Sequence, residues 1–225
     1  MYCLWCSEPI IQQLTWQNFF FPDIKKLCVY CDSLLEKIDG DRCHKCSRQC
    51  EQAICFDCQR WEKEKERDTL VFNYSIFQYN IFMQELIAKW KYRGDVELGN
   101  IFRDAVRKGF TPTFAAMKKH AIAVPIPLSK DREKERGFNQ AKILADFLPI
   151  KSELVLHRME GEKQSKKSRK ERIQSINPFS ITKSINKPVI LVDDIYTTGT
   201  TLRHAGKVLK ENGCPEVFGF TLIRG

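Results

Sequence analysis

The strongest constraint in this sequence is an apolar segment that runs directly into two aspartates and a threonine-glycine turn. Residues 188–192 read PVILV, and residues 193–200 read DDIYTTGT. A segment that is apolar on both faces is typical of a central strand in a parallel sheet covered by helices on each side. Ligands of open α/β sheets bind beyond the carboxyl ends of such strands. The sequence therefore predicts an α/β fold with a binding site that follows residue 192.

Strand and helix patterns alternate from residue 69 to the end of the sequence. Apolar residues about four apart predict the helices, as in the series Phe82, Leu86 and Trp90. The predicted strands are residues 70–77, 121–124, 154–156, 188–192 and 217–223. The predicted helices centre on residues 82–90, 98–105, 138–148 and 202–213. This alternation predicts a doubly wound parallel sheet.

The turn at residues 197–200 has the features of an anion site. It separates a buried strand from a helix start, where free backbone N–H groups and the helix dipole favour an anion. Gly199 permits a positive φ and the close approach of a phosphate. Asp193 and Asp194 can accept hydrogen bonds from vicinal sugar hydroxyls, so the segment predicts a site for a phosphorylated ribose. The alternative is a solvated acidic strand end followed by an ordinary helix cap.

Nine of the ten cysteines precede residue 59, and eight of them form four C-x-x-C pairs. Two such pairs complete one tetrahedral four-cysteine zinc site, so the sequence predicts two structural zinc ions. Joining the first pair to the second and the third to the fourth closes the shorter loops, and an interleaved arrangement also fits the spacing. The predicted ligands are Cys3, Cys6, Cys28, Cys31, Cys43, Cys46, Cys55 and Cys58.

A change in composition near residue 66 divides the chain. The charged stretch 62–68 follows the cysteines, which predicts a cysteine-rich zinc-binding domain of residues 1–66 and an α/β domain of residues 67–225. Such a small domain buries little apolar surface of its own, so metal binding would supply most of its folding free energy.

The overall composition, 43% hydrophobic and 29% charged residues, is that of a globular protein. No apolar run approaches the roughly 18 residues of a membrane-spanning helix, and the first residues lack a basic leader followed by an apolar stretch. We therefore expect a cytoplasmic protein without membrane insertion, in a reducing environment that favours metal thiolates over disulfides. The net charge of +9 favours anionic partners such as nucleic acid, a membrane surface or a phosphorylated small molecule.

Residues 190–200 resemble the signature of type I phosphoribosyltransferases, the loop that binds phosphoribosyl pyrophosphate. The resemblance implies that the two aspartates face the ribose hydroxyls, that residues 197–201 wrap the 5-phosphate, and that magnesium accompanies the ligand. The implied binding residues are Asp193, Asp194, Ile195, Tyr196, Thr197, Thr198, Gly199, Thr200 and Thr201.

Residues further upstream are similar to the pattern of the ComF/GntX family. The similarity rests on residues 125–129, Arg132 and residues 136–140, and it extends to residues 91–95, Gln164, Arg172, Asn177 and Phe179. The family comprises late competence proteins with a phosphoribosyltransferase-like domain behind a cysteine-rich zinc module. The chain is thus expected to have a type I phosphoribosyltransferase-like doubly wound parallel sheet and a small N-terminal zinc-ribbon-like domain.

The same resemblance implies a place for the diphosphate. The residues on that side would be Pro127, Leu128, Ser129, Arg132, Arg136 and Asn139. Arginines can neutralise a diphosphate through bidentate hydrogen bonds. The alternative is that Arg132 and Arg136 belong to a solvated helix face, interleaved with acidic residues. If the site is catalytic, the candidate residues are Asp193, Asp194 and Arg136.

A polar segment at residues 163–172 carries six lysines and arginines and a single glutamate at position 171. It could close over bound phosphoribosyl pyrophosphate, follow a nucleic-acid backbone, or be an ordinary solvated loop.

Two functions from different classes fit these features. The family resemblance implies a competence protein that handles incoming single-stranded DNA in natural transformation and works with a helicase or channel protein of the uptake machinery. The alternative is an active phosphoribosyltransferase, in which magnesium binds the diphosphate and an unidentified nucleobase or amine attacks the ribose.

Overall fold

A four-stranded parallel sheet lies at the centre of the fold. The structure is a computed structural model, and it describes residues 1–11, 25–64, 68–92, 95–159 and 177–225. The strands are, in chain order, β1 Asn73–Gln78, β2 Ile122–Pro125, β3 Leu156–Arg158, β4 Phe179–Ile181, β5 Val189–Tyr196 and β6 Val217–Arg224. The parallel sheet has the order β1-β6-β5-β2.

Helices cover both faces of this sheet. They are α1 Val29–Ser33, α2 Phe56–Lys63, α3 Ile81–Tyr92, α4 Arg103–Phe114, α5 Lys130–Arg136, α6 Gln140–Phe147 and α7 Thr200–Glu211. On β5, Ile190 and Val192 pack in one core with residues of α3 and α4, while Val189 and Leu191 pack in a second core with residues of α7. All four side chains are fully buried, which confirms the prediction of a central strand in a doubly wound parallel sheet.

Two elements differ from the prediction. The helix expected at residues 98–105 begins as a 3-10 helix, Val96–Phe102, before α4. Leu98 and Phe102 are four apart, a spacing that places them on one face of an α-helix but not of a 3-10 helix with three residues per turn, so the spacing did not indicate the 3-10 segment. The strand expected at residues 154–156 starts only at Leu156, and Leu154 before it is exposed. This strand, β3, lies in a separate sheet, where it pairs antiparallel with β4.

The cysteine-rich segment packs against the sheet domain in two places. Cys3, Leu27 and Cys31 belong to the core formed with α3 and α4. The cysteines from Cys43 to Cys58 that form the later pairs belong to the other core, on the side of α7. The segment therefore rests on both cores of the larger domain.

Some predicted features lie outside the described residues. These are the domain boundary near residue 66, the basic segment 163–172 and the family positions Gln164 and Arg172. Within the described ranges, no helix combines the length and apolar character needed to cross a bilayer.

Candidate functional site

A cavity of about 320 Å³ opens at the carboxyl end of β5. It lies between the end of this strand, the loop that follows β2, and helices α5 and α6. Its lining residues are Lys91, Ile126, Pro127, Leu128, Arg132, Arg136, Asn139, Gln140, Ala141, Arg158, Asp193, Asp194, Ile195, Thr197 and Thr201. Its volume falls within the usual range of small-ligand sites.

Ten of the residues proposed from the sequence meet at this cavity. They are Pro127, Leu128, Arg132, Arg136, Asn139, Asp193, Asp194, Ile195, Thr197 and Thr201. The other five lie close by. Thr198, Gly199 and Thr200 form the turn between β5 and α7, Ser129 is the N-cap of α5, and the buried side chain of Tyr196 packs in the core on the α7 side.

The two aspartates share a partly desolvated corner with one lysine. The backbone N–H of Asp194 donates to Asp193 Oδ1 at 2.9 Å, and Lys91 Nζ forms an ion pair with Asp194 Oδ2. Burial raises the pKa of Asp193 to about 8, and the negative charge of Asp194 adds to this effect. Burial also opposes ionisation of Asp194, but the ammonium of Lys91, the hydrogen bond with Asp193 and the charge of Arg136 together outweigh it and lower the pKa of Asp194. Near neutral pH, the pair therefore holds one proton, on Asp193.

Helix α5 turns its arginines toward the cavity and its acids toward solvent. Arg132 and Arg136 are half-buried and line the cavity, whereas Asp131, Glu133 and Glu135 are exposed. Residues four apart share one face of a helix, which explains this sorting.

The guanidinium of Arg136 is only partly satisfied by protein groups. Its Nη1 donates to Gln140 Oε1 at 3.1 Å, and the group lies 5.6 Å from the centre of the Tyr92 ring. Its Nε is buried without a hydrogen-bond partner among the described residues, and so is Gln140 Nε2. Buried donors normally find acceptors. An oxygen-rich ligand in this cavity would provide them.

Lys91, Arg158 and Gln140 line the cavity but were not proposed as site residues. Lys91 lies within a segment that matches the family pattern, so that match is the signal that could have identified it. Arg158 lies at the end of β3, with its guanidinium 5.5 Å from the centre of the Phe179 ring. Burial and the nearby charge of Arg132 lower the pKa of Arg158. No local motif marks this arginine, because the fold alone brings β3 to the cavity.

Asn139 uses its polar atoms to hold the cavity wall together. As the N-cap of α6, its side-chain oxygen accepts from Ala141 N at 2.9 Å, and its Nδ2 donates to the Ile126 carbonyl at 3.0 Å. Asn139 thereby ties the start of α6 to the loop after β2. Its side chain therefore fixes the shape of this wall of the cavity.

The turn at residues 197–200 is closed by its own hydroxyls. Thr198 Oγ1 and Thr200 Oγ1 lie 2.8 Å apart, and Gly199 has a φ of 77°, the left-handed region that favours glycine. Helix α7 starts at Thr200 and contributes the positive end of its dipole. Thr197 and Thr201 face the cavity on either side of the turn.

The structure brings the eight predicted ligands together in two groups. The first centre consists of Cys3, Cys6, Cys28 and Cys31, and the second centre consists of Cys43, Cys46, Cys55 and Cys58. This is the arrangement in which consecutive C-x-x-C pairs join. In each centre the sulfur atoms all lie within 4.8 Å of one another.

The sulfur spacing suits a zinc ion. The sulfurs of Cys6 and Cys28 are 3.7 Å apart, and those of Cys46 and Cys55 are 3.6 Å apart. Zinc–thiolate bonds of about 2.3 Å in a tetrahedron require sulfur–sulfur edges of about 3.8 Å. Four thiols at this spacing form a donor set that fits zinc at both centres.

Both centres are built in the same way. One C-x-x-C pair lies in a tight hairpin, and the residue after it, Ser7 or Ser47, has a positive φ. The other pair begins a helix, with Cys28 as the N-cap of α1 and Cys55 as the N-cap of α2. At the first of these helix starts the backbone N–H of Cys31 donates to Cys28 Sγ at 3.5 Å.

The chain is similar to known proteins over its full length, and part of its α/β domain matches a known family. A family model described as "Phosphoribosyl transferase domain" matches residues 134–225. The competence protein ComFC of Bacillus subtilis is 42% identical over 99% of this chain and 94% of its own length, and that of Streptococcus pneumoniae is 33% identical over 100% of both. A hypoxanthine phosphoribosyltransferase from Staphylococcus aureus aligns at 15% identity and a TM-score of 0.34, covering 56% of this chain and 64% of its own.

Replacing Asp193 by Asn tests the protonation of the acidic pair. The folded pKa of about 8 lies above the ordinary value of 3.8, so the folded protein keeps a proton that the unfolded chain has released between these pH values. The stability of the wild type therefore falls as the pH rises through that window. As the pH rises from 5 to 8, we expect the free energy of unfolding of Asp193→Asn to increase by about 1–3 kcal/mol relative to that of the wild type. Urea unfolding at the two pH values measures this difference.

Asp194→Asn is the matched control. It removes the carboxylate that pairs with Lys91 and should lower the free energy of unfolding at both pH values, because it leaves a largely buried ammonium without its partner. A difference between Asp193→Asn and the wild type that is independent of pH would contradict the assignment of the proton to Asp193.

Proposed function

The chain belongs to the family of the ComFC competence proteins, and from this membership we propose that it binds phosphoribosyl pyrophosphate with magnesium and handles incoming single-stranded DNA in natural transformation. The binding of phosphoribosyl pyrophosphate is supported by one observation: two aspartates, four cationic side chains and a turn that starts a helix meet in one cavity. In this proposal the protein is cytoplasmic and acts beside helicase or channel proteins of the uptake machinery.

Each part of the ligand has a matching part of the cavity. Asp193 and Asp194 accept hydrogen bonds from the ribose hydroxyls. The 5-phosphate lies at the turn, against Thr197, Thr201 and the start of α7, where hydroxyl and backbone donors favour an anion. The cations that would neutralise the diphosphate are Lys91, Arg132, Arg136 and Arg158.

Magnesium fits the same corner. Carboxylate oxygens together with ligand phosphate oxygens are the donors that this ion prefers, and Asp193 and Asp194 supply the carboxylates. The ion, when bound, would neutralise diphosphate charge. Asp193 holds a proton in the free protein, so we infer that binding of the cation and ligand releases this proton.

Zinc at both four-cysteine centres is the second part of the proposal. The centres hold short helices and hairpins that bury little apolar surface, so their folding depends on the metal. In the first centre, Trp5 packs edge-on against Phe82 of α3 with 5.3 Å between the ring centres. Its ring docks on the sheet domain.

The handling of single-stranded DNA is supported by charge and exposed rings. The net charge is +9, and Tyr2, Tyr30 and Phe56 are mostly exposed beside the two centres. Exposed aromatic rings stack on bases, and lysines and arginines bind the phosphate backbone, without sequence preference.

A second candidate function is transfer of the phosphoribosyl group to an unidentified nucleobase or amine. The match of residues 134–225 to the phosphoribosyl transferase domain favours it. In that reaction the acceptor attacks C1 of the ribose, diphosphate departs, and Asp193, Asp194 and Arg136 would be the catalytic residues. Acceptor-dependent release of diphosphate in a screen of nucleobases and amines would establish this activity.

Removal of both carboxylates should abolish ligand binding. We expect the double variant Asp193→Asn, Asp194→Asn to bind magnesium phosphoribosyl pyrophosphate at least about 100-fold more weakly than the wild type, because buried charge-assisted hydrogen bonds are lost. Isothermal titration calorimetry measures this. The control is Asp146→Asn, which removes an exposed partner of Lys142 on α6. Undiminished affinity of the double variant would refute the assignment of the ribose site.

Binding of single-stranded DNA should depend strongly on salt. The affinity for a labelled oligonucleotide should fall about tenfold or more between 50 and 200 mM salt, with similar values for different base sequences. Fluorescence anisotropy measures it. The DNA part of the proposal fails if no binding is detected at low salt, or if the affinity does not respond to salt.

The metal content should be close to two zinc ions per chain. Cys31→Ser and Cys58→Ser should each reduce it to about one, because each variant removes a ligand from a different centre. Elemental analysis by mass spectrometry gives the numbers. A wild-type value near zero would overturn both metal centres.

A further inference from the structure

The second centre contacts the turn at residues 197–200, which we call the phosphate turn, through Trp61. Trp61 follows Cys58 by three residues in α2, and it is 8% exposed. Its Nε1–H donates to the carbonyl oxygen of Thr198 at 3.0 Å. A side chain placed by the metal-binding helix therefore holds the backbone of the turn directly.

A buried arginine holds Trp61 in this place. Arg203 is 3% exposed, and its guanidinium lies 4.4 Å from the centre of the Trp61 ring. The same group donates from Nη1 to the Tyr196 hydroxyl at 2.7 Å and from Nε to Asp68 Oδ1 at 3.0 Å. A cation over an aromatic face, with its donors satisfied, is a stable buried arrangement.

Gly199 of the turn lies directly against the Tyr196 hydroxyl and the Arg203 guanidinium. A Cβ atom on Gly199 would lie 2.1 Å from the Tyr196 hydroxyl and 2.3 Å from Arg203 Nη1. Contact this close leaves no room between the turn and the buried arginine, so any displacement of Trp61 or Arg203 is transmitted to the turn.

A second link joins a metal ligand to the strand end. Arg224 Nη2 lies 3.7 Å from Cys46 Sγ, and Arg224 Nη1 donates to the Tyr196 carbonyl at 3.2 Å. The same guanidinium lies 5.1 Å from the centre of the Tyr196 ring. One side of the phosphate turn is thus connected to a sulfur of the second centre through a single residue.

The first centre is placed differently. Its Trp5 packs against Phe82, and Lys89 Nζ lies 5.1 Å from the centre of the Trp5 ring. Both partners belong to α3. Each centre therefore has a tryptophan with a cation over its ring, but only Trp61 donates to the phosphate turn.

We propose that the second four-cysteine centre positions the phosphate turn, with Trp61 and Arg203 as positioning residues, so that metal binding at this centre and ligand binding in the cavity strengthen each other. This inference rests on the proposed function of the cavity. An eight-residue helix is not stable alone, so α2 keeps Trp61 in place only while its cysteines are held. Coupling of this kind is reciprocal, and each ligand must raise the affinity of the other by the same factor.

The test compares two conservative variants of the full chain. Trp61→Phe keeps a ring beneath Arg203 and removes the donor to Thr198. We expect its affinity for magnesium phosphoribosyl pyrophosphate to fall about fivefold to thirtyfold, the effect of one lost hydrogen bond. Trp5→Phe should change the affinity by less than about twofold, and both variants should retain two zinc ions.

Metal release provides the reciprocal measurement. With a zinc-selective chelator that leaves magnesium in solution, saturating magnesium phosphoribosyl pyrophosphate should slow the release of one of the two zinc ions in the wild type. The protection should persist in Trp5→Phe and shrink in Trp61→Phe. Equal behaviour of the two variants, or protection of both ions or neither, would overturn the coupling.

Amide hydrogen exchange of residues 197–201 tests the positioning without any ligand. Exchange there should be faster in Trp61→Phe and in Cys58→Ser than in the wild type, and unchanged in Trp5→Phe and Cys31→Ser. A wild type that binds no phosphoribosyl pyrophosphate would refute the function of the cavity while this measurement still decides the positioning. Identical exchange of the turn in Trp61→Phe and the wild type would refute the positioning itself.

Discussion

The site depends on two carboxyl groups, Asp193 and Asp194, held side by side at the end of β5, a strand that is buried on both faces. Two negative charges in so little water cannot both persist without compensation, so Asp193 keeps its proton and Asp194 pairs with Lys91. The arginines on α5 and β3 complete the balance. A ligand that brings its own cation and anion can therefore replace two interactions of the free protein. The cation takes the place of the proton on Asp193, and the anion takes the place of Asp194 as the partner of Lys91.

Alternation along β5 connects this corner to the metal centre. Successive side chains of a strand point to opposite faces, and Ile195 and Thr197 face the cavity while Tyr196 between them packs in the core beside the second centre. One short segment thus contacts the ligand site on one side and the buried arginines on the other. The cysteines of that centre pack in the same core as β5 and α7, so the cysteine-rich segment forms part of the wall behind the site.

Much of the fold and part of the site could be predicted from the sequence. The apolar run before Asp193 predicted the central strand. The spacing of the cysteines predicted the eight ligands and favoured joining consecutive pairs, while the structure alone excluded the interleaved arrangement. Arg158 and Trp61 carried no such signal, because Arg158 reaches the cavity through a separate two-stranded sheet and the partner of Trp61 is a backbone oxygen 137 residues away. Local patterns also could not show that Tyr196 turns away from the cavity, since the signature names a run of residues without saying which of them face the ligand.

The two four-cysteine centres contact different parts of the larger domain. Trp5 of the first centre packs against Phe82 of α3, and Trp61 next to the second centre donates to Thr198 in the phosphate turn. Lys91, which lines the cavity, lies on α3, and Thr198 lies in the turn between the lining residues Thr197 and Thr201. Each centre therefore packs on an element that contributes residues to the cavity. Packing of the two centres on these elements holds Lys91 and the phosphate turn at a fixed distance from each other. Fixed charges of this kind bind an anion without the reorganisation that mobile side chains would require.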